Sequence, residues 1–363
     1  MSTSPSTFQD PTAELLAQTP EYADTSILDE LRRTEYGRLD AHGHAYLDYT
    51  GGGLYADSQI RAHGALLTSC TLGNPHSASP SSSESTALVE HTRHAVLDYF
   101  RATGRYTAIF TLNASGALKH IGESFPFVQG SRFLLAFDNH NSVNGIREYA
   151  QAKGATFDYA RLTTPDLRLD ADDLHHKLLA LDSTVANLFA FPAQSNFSGV
   201  QHPLELVDLA RRAGWRVLLD AAAFVPTNRL DLTEIEPDFV TISFYKMFGY
   251  PTGVGCLLVR NDAVPLLRRP WFAGGTVNFA SVQGRAHILS PGEAGFEDGT
   301  LNYLSIPAVE IGLEHLEHIG IERIHTRVQA LAGWLLAKLL DLRHANGRPM
   351  VRIYGPANMR ARG

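Results

Sequence analysis

From Tyr106 to Arg260, short β-rich runs alternate with helix-length stretches of mixed polarity, and this rhythm limits the folds open to the chain more than any other feature. The runs are Thr107 to Leu112, Arg132 to Phe137, Val185 to Phe191, Trp215 to Asp220, Phe239 to Phe244 and Gly255 to Arg260. Apolar runs of this length bounded by turn residues read as strands, and the segments between them as helices. The alternation predicts an α/β fold, a largely parallel sheet with helices on both faces. Ligands of such sheets bind at the carboxyl ends of the strands. From Ile306 to Leu342 the pattern is mainly helical, with Leu331, Trp334, Leu335, Lys338 and Leu339 at helical spacing, and reads as a bridge into a second lobe. Residues 1–20 are rich in Ser, Thr and Pro, so a flexible arm is expected there, with structure beginning near Tyr22.

A chain of 363 residues, 44% hydrophobic and 19% charged, is long enough for one large domain plus a smaller lobe and has an ordinary globular composition. It has no apolar run long enough to span a membrane, and no basic segment precedes an apolar one at the N-terminus, so a cytoplasmic location is expected. Cys70 and Cys256 are too few for a disulfide framework or a cysteine-rich zinc site. A net charge of -7 without any Lys/Arg-rich run gives no footprint for nucleic acid or an anionic membrane, and favours a small-molecule substrate. Any lysine chemistry must use Lys119, Lys153, Lys177, Lys246 or Lys338.

The polar oddities gather at the predicted strand ends. Asn113-Ala114-Ser115-Gly116-Ala117 follows one strand and opens a helix reaching about Phe125, where free amides, the helix dipole and a hydroxyl suit a phosphate. A simple Ser-Gly cap is the alternative. Asp220 ends the apolar strand Val217-Leu218-Leu219, and a buried carboxylate there needs a partner: a protonated pyridine nitrogen, an Arg or a helix cap. The strand Asp238 to Phe244 delivers Ser243, Tyr245 and Lys246 ahead of a glycine-rich segment, Gly249 to Gly255. A lysine in that aromatic and glycine-rich setting is partly desolvated, which favours imine chemistry. Lys153 and Lys177 lie in polar helical stretches, Lys119 and Lys338 on helices, and all four read as solvated surface. His140 and Asn196 follow two further strands; a structural His and a turn Asn are the plain alternatives. Taken together, an amine, a carboxylate, a ring-stacking group, a donor for a phenolic oxygen and a phosphate cup are what pyridoxal phosphate requires.

The segment Thr241-Ile242-Ser243-Phe244-Tyr245-Lys246-Met247-Phe248-Gly249-Tyr250-Pro251-Thr252-Gly253-Val254-Gly255 resembles the cofactor-lysine segment of the aminotransferase class V and cysteine desulfurase superfamily, and is most similar to its molybdenum cofactor sulfurase branch. Tyr46-Leu47-Asp48-Tyr49, Gly73-Asn74-Pro75-His76-Ser77, Asn139 to Tyr149 and Phe296-Glu297-Asp298-Gly299-Thr300 extend the resemblance over about Tyr46 to Thr300. It implies the fold of type I pyridoxal-phosphate transferases, with a sheet of the seven-stranded type. It also implies that Lys246 carries the cofactor, Asp220 meets the pyridine nitrogen, His140 stacks on the ring and Asn196 bonds the phenolic oxygen. Ser115, Gly116 and Ser243 would hold the phosphate, and Thr300 would reach the phosphate site of a neighbouring subunit, hence a homodimer. Tyr245 occupies the place of a His found in many relatives, and Ala223 that of a Gln, so one cofactor hydrogen bond is expected to be missing.

The implied domains are residues 21–60 as the N-terminal part of a small lobe, 61–305 as the large cofactor domain, and 306–363 as bridging helices and the start of a C-terminal lobe. Val351 to Pro356 resembles the first strand of that lobe, so the regions that carry the family's nucleophilic Cys and its carboxylate-binding Arg are expected to be absent from this chain, and the second lobe to be incomplete. Cys70 and Cys256 read as small core hydrophobes rather than sulfur carriers. The resemblance points to cleavage of the Cβ–S bond of L-cysteine. Its alternatives are another pyridoxal-phosphate lyase, an aminotransferase, or an inactive cofactor-binding fragment. Ser243-Phe244-Tyr245-Lys246 also fits a Ser-x-x-Lys hydrolase pattern, but the companion Ser-Asp-Asn and Lys-Thr-Gly are missing. The pairs His42/His44, His91/His94, His175/His176 and His315/His318 lack a completing ligand and read as surface residues, so no metal site is expected.

Overall fold

The computed structural model describes residues 11–180, 182 and 184–363. Seven strands form its main sheet: β1 (Tyr106–Thr111), β2 (Arg132–Ala136), β3 (Thr156–Ala160), β4 (Leu188–Pro192), β5 (Arg216–Asp220), β6 (Phe239–Ser243) and β7 (Gly255–Arg260). Their order is β1-β7-β6-β5-β4-β2-β3, with β7 antiparallel to both neighbours and the other pairings parallel. The fold is therefore α/β with the mostly parallel seven-stranded sheet expected.

Strand β3 was not among the sequence-predicted runs. It is an edge strand, exposed or half-exposed over Thr156 to Tyr159, so it lacks the continuous apolar signature of the inner strands. Inner strands alternate between two buried layers: Val217 and Leu219 face one, Leu218 the other. The first layer is closed by helices Pro80–Tyr99, Leu206–Arg212 and Pro307–Ile319, the second by Ala114–Ser124 and Ile146–Ala152.

Order begins earlier than Tyr22. A helix spans Pro11–Gln18, with Leu15 buried and Glu14 paired with Lys338. It packs, with the 3₁₀ turn Pro20–Thr25, on the long helix Ile321–Asp341, where Arg327 bonds Thr25, Tyr22 and Asp29. Residues 1–10 of the expected arm lie outside the described residues. Val351 to Pro356 is irregular rather than a strand; nearby only isolated bridges form, Arg343 to Pro349 and Val200 to Arg362, because no neighbouring strand offers a ladder.

Two lysines are less solvated than expected. Lys153 donates to the carbonyls of Glu123 and Phe125 at 2.7 and 2.8 Å, and burial lowers its pKa. Lys177 is held by Asp158, Asp173 and the Tyr159 carbonyl. Asp173, in the first turn of the helix Ala171–Leu179, is likewise engaged by Arg161 and Lys177. Among the described residues no helix is long and apolar enough to cross a membrane.

Candidate active site

The strand order brings the carboxyl ends of β4, β5 and β6 side by side, with Pro192 opposite Asp220 and Asp220 opposite Thr241. The carboxyl end of β1 reaches the same level because β7 lies between β1 and β6, its first residue Gly255 opposite both Thr111 and Ser243. A Cβ on Gly255 would fall 2.6 Å from the Asn113 carbonyl carbon, so only glycine lets the Asn113-Ala114 turn settle against β7. There the Ala114 amide donates to Ser243 Oγ at 3.3 Å.

These ends surround a cleft of about 370 Å³. Of the nine residues singled out from the sequence, seven line it: Ser115, His140, Asn196, Asp220, Ser243, Tyr245 and Lys246. Lys246 sits on a single helical turn, Phe244–Phe248, that leaves β6 directly; Phe244, Met247 and Phe248 are buried and fix the turn. The turn ends at Gly249 in the left-handed region, φ 79°, where a side chain would also strike the backbone of Leu54 and Tyr55. Gly53 donates its amide to the Tyr245 carbonyl at 3.0 Å, so the N-terminal segment braces the lysine turn. Lys246 Nζ has no hydrogen-bond or ion-pair partner among the described residues, and Lys246 is the one lysine among the described residues that line the cleft.

Asp220 is 8% exposed. One oxygen, Oδ1, accepts from the Ala222 amide at 3.1 Å and from Thr241 Oγ1 at 3.2 Å. Oδ2 has no partner among the described residues, so a buried carboxylate presents one unsatisfied oxygen to the cleft. Thr241, which sequence reasoning passed over, orients it from the adjacent strand.

At the opposite end the helix Ala114–Ser124 opens on the cleft. Asn113 caps it, accepting from the Gly116 amide at 2.9 Å. Gly116 is therefore not a free donor and does not line the cleft, because the cap consumes the amide that the phosphate reading required. The Ser115 amide has no partner among the described residues, and Ser115 Oγ lies 2.6 Å from Ser142 Oγ. His140 and Asn196 stand on exposed loops after β2 and β4; His140 Nδ1 accepts from the Ser142 amide at 3.1 Å. Thr300 is exposed, 3.5 Å from Asn74 Nδ2 and outside this cleft.

Neither cysteine lines the cleft. Cys256 is buried within β7, and burial pushes its thiol up to about 12. The histidine pairs form no cluster of ligands among the described residues; the one grouping that does, His120, Glu123 and Asp298, is occupied by the Arg269 guanidinium.

An amine without a partner, a buried carboxylate with a free oxygen and an open helix N-terminus with two serine hydroxyls fit pyridoxal phosphate, the group for which this fold is built. The fold and cleft define a pyridoxal-phosphate protein of fold type I. The sequence profile of the Aminotransferase class-V family matches residues 45–362, and the chain belongs to that family. It is 39% identical over 370 residues to molybdenum cofactor sulfurase of Arabidopsis thaliana, covering 92% of this chain and 45% of that protein. With the Homo sapiens molybdenum cofactor sulfurase it shares 39% identity over 366 residues, 95% of this chain and 40% of that one. The chain thus spans less than half the length of these relatives. In structure it resembles a cysteine desulfurase from Thermococcus onnurineus, with a TM-score of 0.79 at 24% identity over 92% of this chain and 80% of the other. The Escherichia coli cysteine desulfurase CsdA follows with 0.68 at 21%, over 92% and 77%.

Proposed function

We propose that this chain is a pyridoxal-phosphate-dependent sulfur-transfer enzyme that acts on L-cysteine and cleaves its Cβ–S bond. The observation that carries the reading is the pairing, within one cleft, of the unpartnered Lys246 amine and the half-satisfied Asp220 carboxylate. The relatives described as sulfurases and desulfurases support the substrate class.

In this reading pyridoxal phosphate, when bound, supplies an electron sink for charge developing at the substrate α-carbon. Lys246 Nζ would hold the cofactor and, once freed from it by the substrate amine, would be the general base for the α-proton. Asp220 Oδ2 accepts a proton-bearing pyridine nitrogen, while its Oδ1 is kept in place by Ala222 and Thr241. His140 stacks on the ring and Asn196 donates to the phenolic oxygen. The Ser115 amide and the hydroxyls of Ser115 and Ser243 receive the phosphate at the positive end of the helix. Tyr245 closes that side, and Thr300 contributes to the phosphate site of the second subunit of a homodimer.

A second reading, an elimination that needs no enzyme cysteine, is favoured by the positions of Cys70 and Cys256 outside the cleft. Incubation with L-cysteine separates the two. Sulfur transfer requires an added thiol acceptor and yields alanine, whereas elimination yields sulfide and pyruvate without one. No product from L-cysteine, with cofactor bound, would overturn both.

A further inference from the structure

The two cleft residues with the least support of their own are His140 and Asn196. Both are exposed on loops, and Asn196 has no hydrogen-bond partner among the described residues. Beneath them lies a buried hydrogen-bonded pair that the reading above does not use. His202 Nε2 meets both carboxylate oxygens of Asp138, at 3.1 and 3.0 Å, and the two side chains are 0% and 4% exposed. Asp138 stands two residues before His140 in the loop after β2. His202 closes the loop that leaves β4, where its amide donates to the Ala193 carbonyl and Ser195 pairs with Val200. The buried Nδ1 of His202 has no partner among the described residues, where the ring's side-chain hydrogen bonding goes to Asp138 alone. Asn139, next to the pair, ties the same strands by donating to the carbonyls of Ala136 and Ala190, both at 2.9 Å.

We propose that the buried Asp138–His202 pair is a positioning device that locks the β2 and β4 loops together and so fixes the separation of His140 and Asn196 across the cleft. The inference rests on the reading that these two residues hold the cofactor. A carboxylate met through both oxygens by one imidazole allows little rotation of either loop base, and the low dielectric around it strengthens the contact. Stability alone does not require such a pair, since apolar residues of similar volume often serve a buried site as well or better.

That difference supplies the test. Pyridoxal phosphate affinity, by absorbance titration, and thermal midpoint are measured for wild type, for Asp138→Leu/His202→Leu, for His140→Ala/Asn196→Ala, and for all four changes combined. His202→Gln, which keeps a donor toward Asp138, serves as the conservative variant and remains informative if the leucine pair does not fold. The expected result is a leucine-pair variant with an unchanged or higher midpoint whose cofactor affinity is down roughly tenfold, a loss that shrinks to under about twofold when His140 and Asn196 are already alanine. His202→Gln should recover most of the affinity. An undiminished loss in the combined variant, wild-type affinity in the leucine pair, or a His202→Gln variant that loses affinity like a deletion would each overturn the proposal. Failure of His140→Ala/Asn196→Ala to weaken binding at all would instead remove the underlying reading, and the proposal with it.

Discussion

Asp220 holds a single acidic group at the meeting point of two strands, and its environment treats its two oxygens unequally. The amide of Ala222 and the hydroxyl of Thr241 immobilise Oδ1, and Oδ2 is left to a ligand. A hydrogen bond between charged partners contributes about 1.5–3 kcal/mol. Asp220→Asn, which keeps the shape but removes the charge, should therefore weaken pyridoxal phosphate affinity by about 10- to 100-fold. Titration of the variant with cofactor checks this, and unchanged affinity would assign the carboxylate a merely structural role. Asp220 and Lys246 were legible in the sequence because a carboxylate at the end of an apolar strand and a lysine in an Arg-rich chain both stand out. Thr241 and the pair Asp138–His202 were not, because their roles depend on which strands and loops become neighbours. Gly116 misled for the same reason: its amide was visible as a donor, but its capture by Asn113 depends on the cap geometry.

The lysine turn Phe244–Phe248 is too short to hold itself, and its position comes from what packs on it. Gly312, in the helix Pro307–Ile319, faces the Phe248 ring so closely that an added methyl would overlap it. Gly312→Ala should destabilise the protein by about 1–3 kcal/mol, lowering the thermal midpoint, and should displace the turn enough to lower cofactor occupancy. Equal occupancy at a lowered midpoint would mean that the turn is held from elsewhere. On the other side of the helix Pro80–Tyr99, Arg93 is buried against Glu297, at 2.6 Å, and also donates to the Ala108 carbonyl at 2.7 Å, joining helix, β1 and the loop that carries Thr300. Arg93→Ala leaves an uncompensated buried carboxylate and should cost about 3–5 kcal/mol, read from denaturant unfolding. Sequence periodicity found six of the seven strands because each has an apolar, buried centre. It missed β3, whose Asp158 and half-exposed aromatics mark an edge, and it placed no packed element in the Pro11–Gln18 helix, which packs on a helix about three hundred residues further along the chain, where Lys338 pairs with Glu14.

Across the whole molecule, the N-terminal segments are fastened to the C-terminal helices by polar contacts as well as apolar ones. Tyr36 and His315 Nε2 are 3.2 Å apart. Burial pushes the Tyr36 hydroxyl up to about 12, so it remains a donor, and burial also lowers the His315 pKa, with Glu35 opposing and His318 adding to the effect. The folded state therefore favours the neutral imidazole. Its contribution to stability is complete above the ordinary value of 6.5 and is lost as pH falls through the lowered folded-state value. The thermal midpoint should decline on acidification below about 6.5, and His315→Gln should remove part of that decline. An identical pH profile in the variant would place the acid sensitivity in another group. The alternation of strands and helices made the architecture legible at this scale. How the outer helices pack on it was not, since those contacts join segments far apart in sequence. In the proposed reading Lys246 is the amine that holds pyridoxal phosphate in this cleft. Borohydride reduction of the cofactor-loaded protein, followed by peptide mass spectrometry, tests it most directly. The reduced pyridoxyl label is expected on the peptide containing Lys246 and absent in Lys246→Ala; a label on Lys119, Lys153, Lys177 or Lys338 instead, or no label in cofactor-loaded wild type, would contradict this assignment.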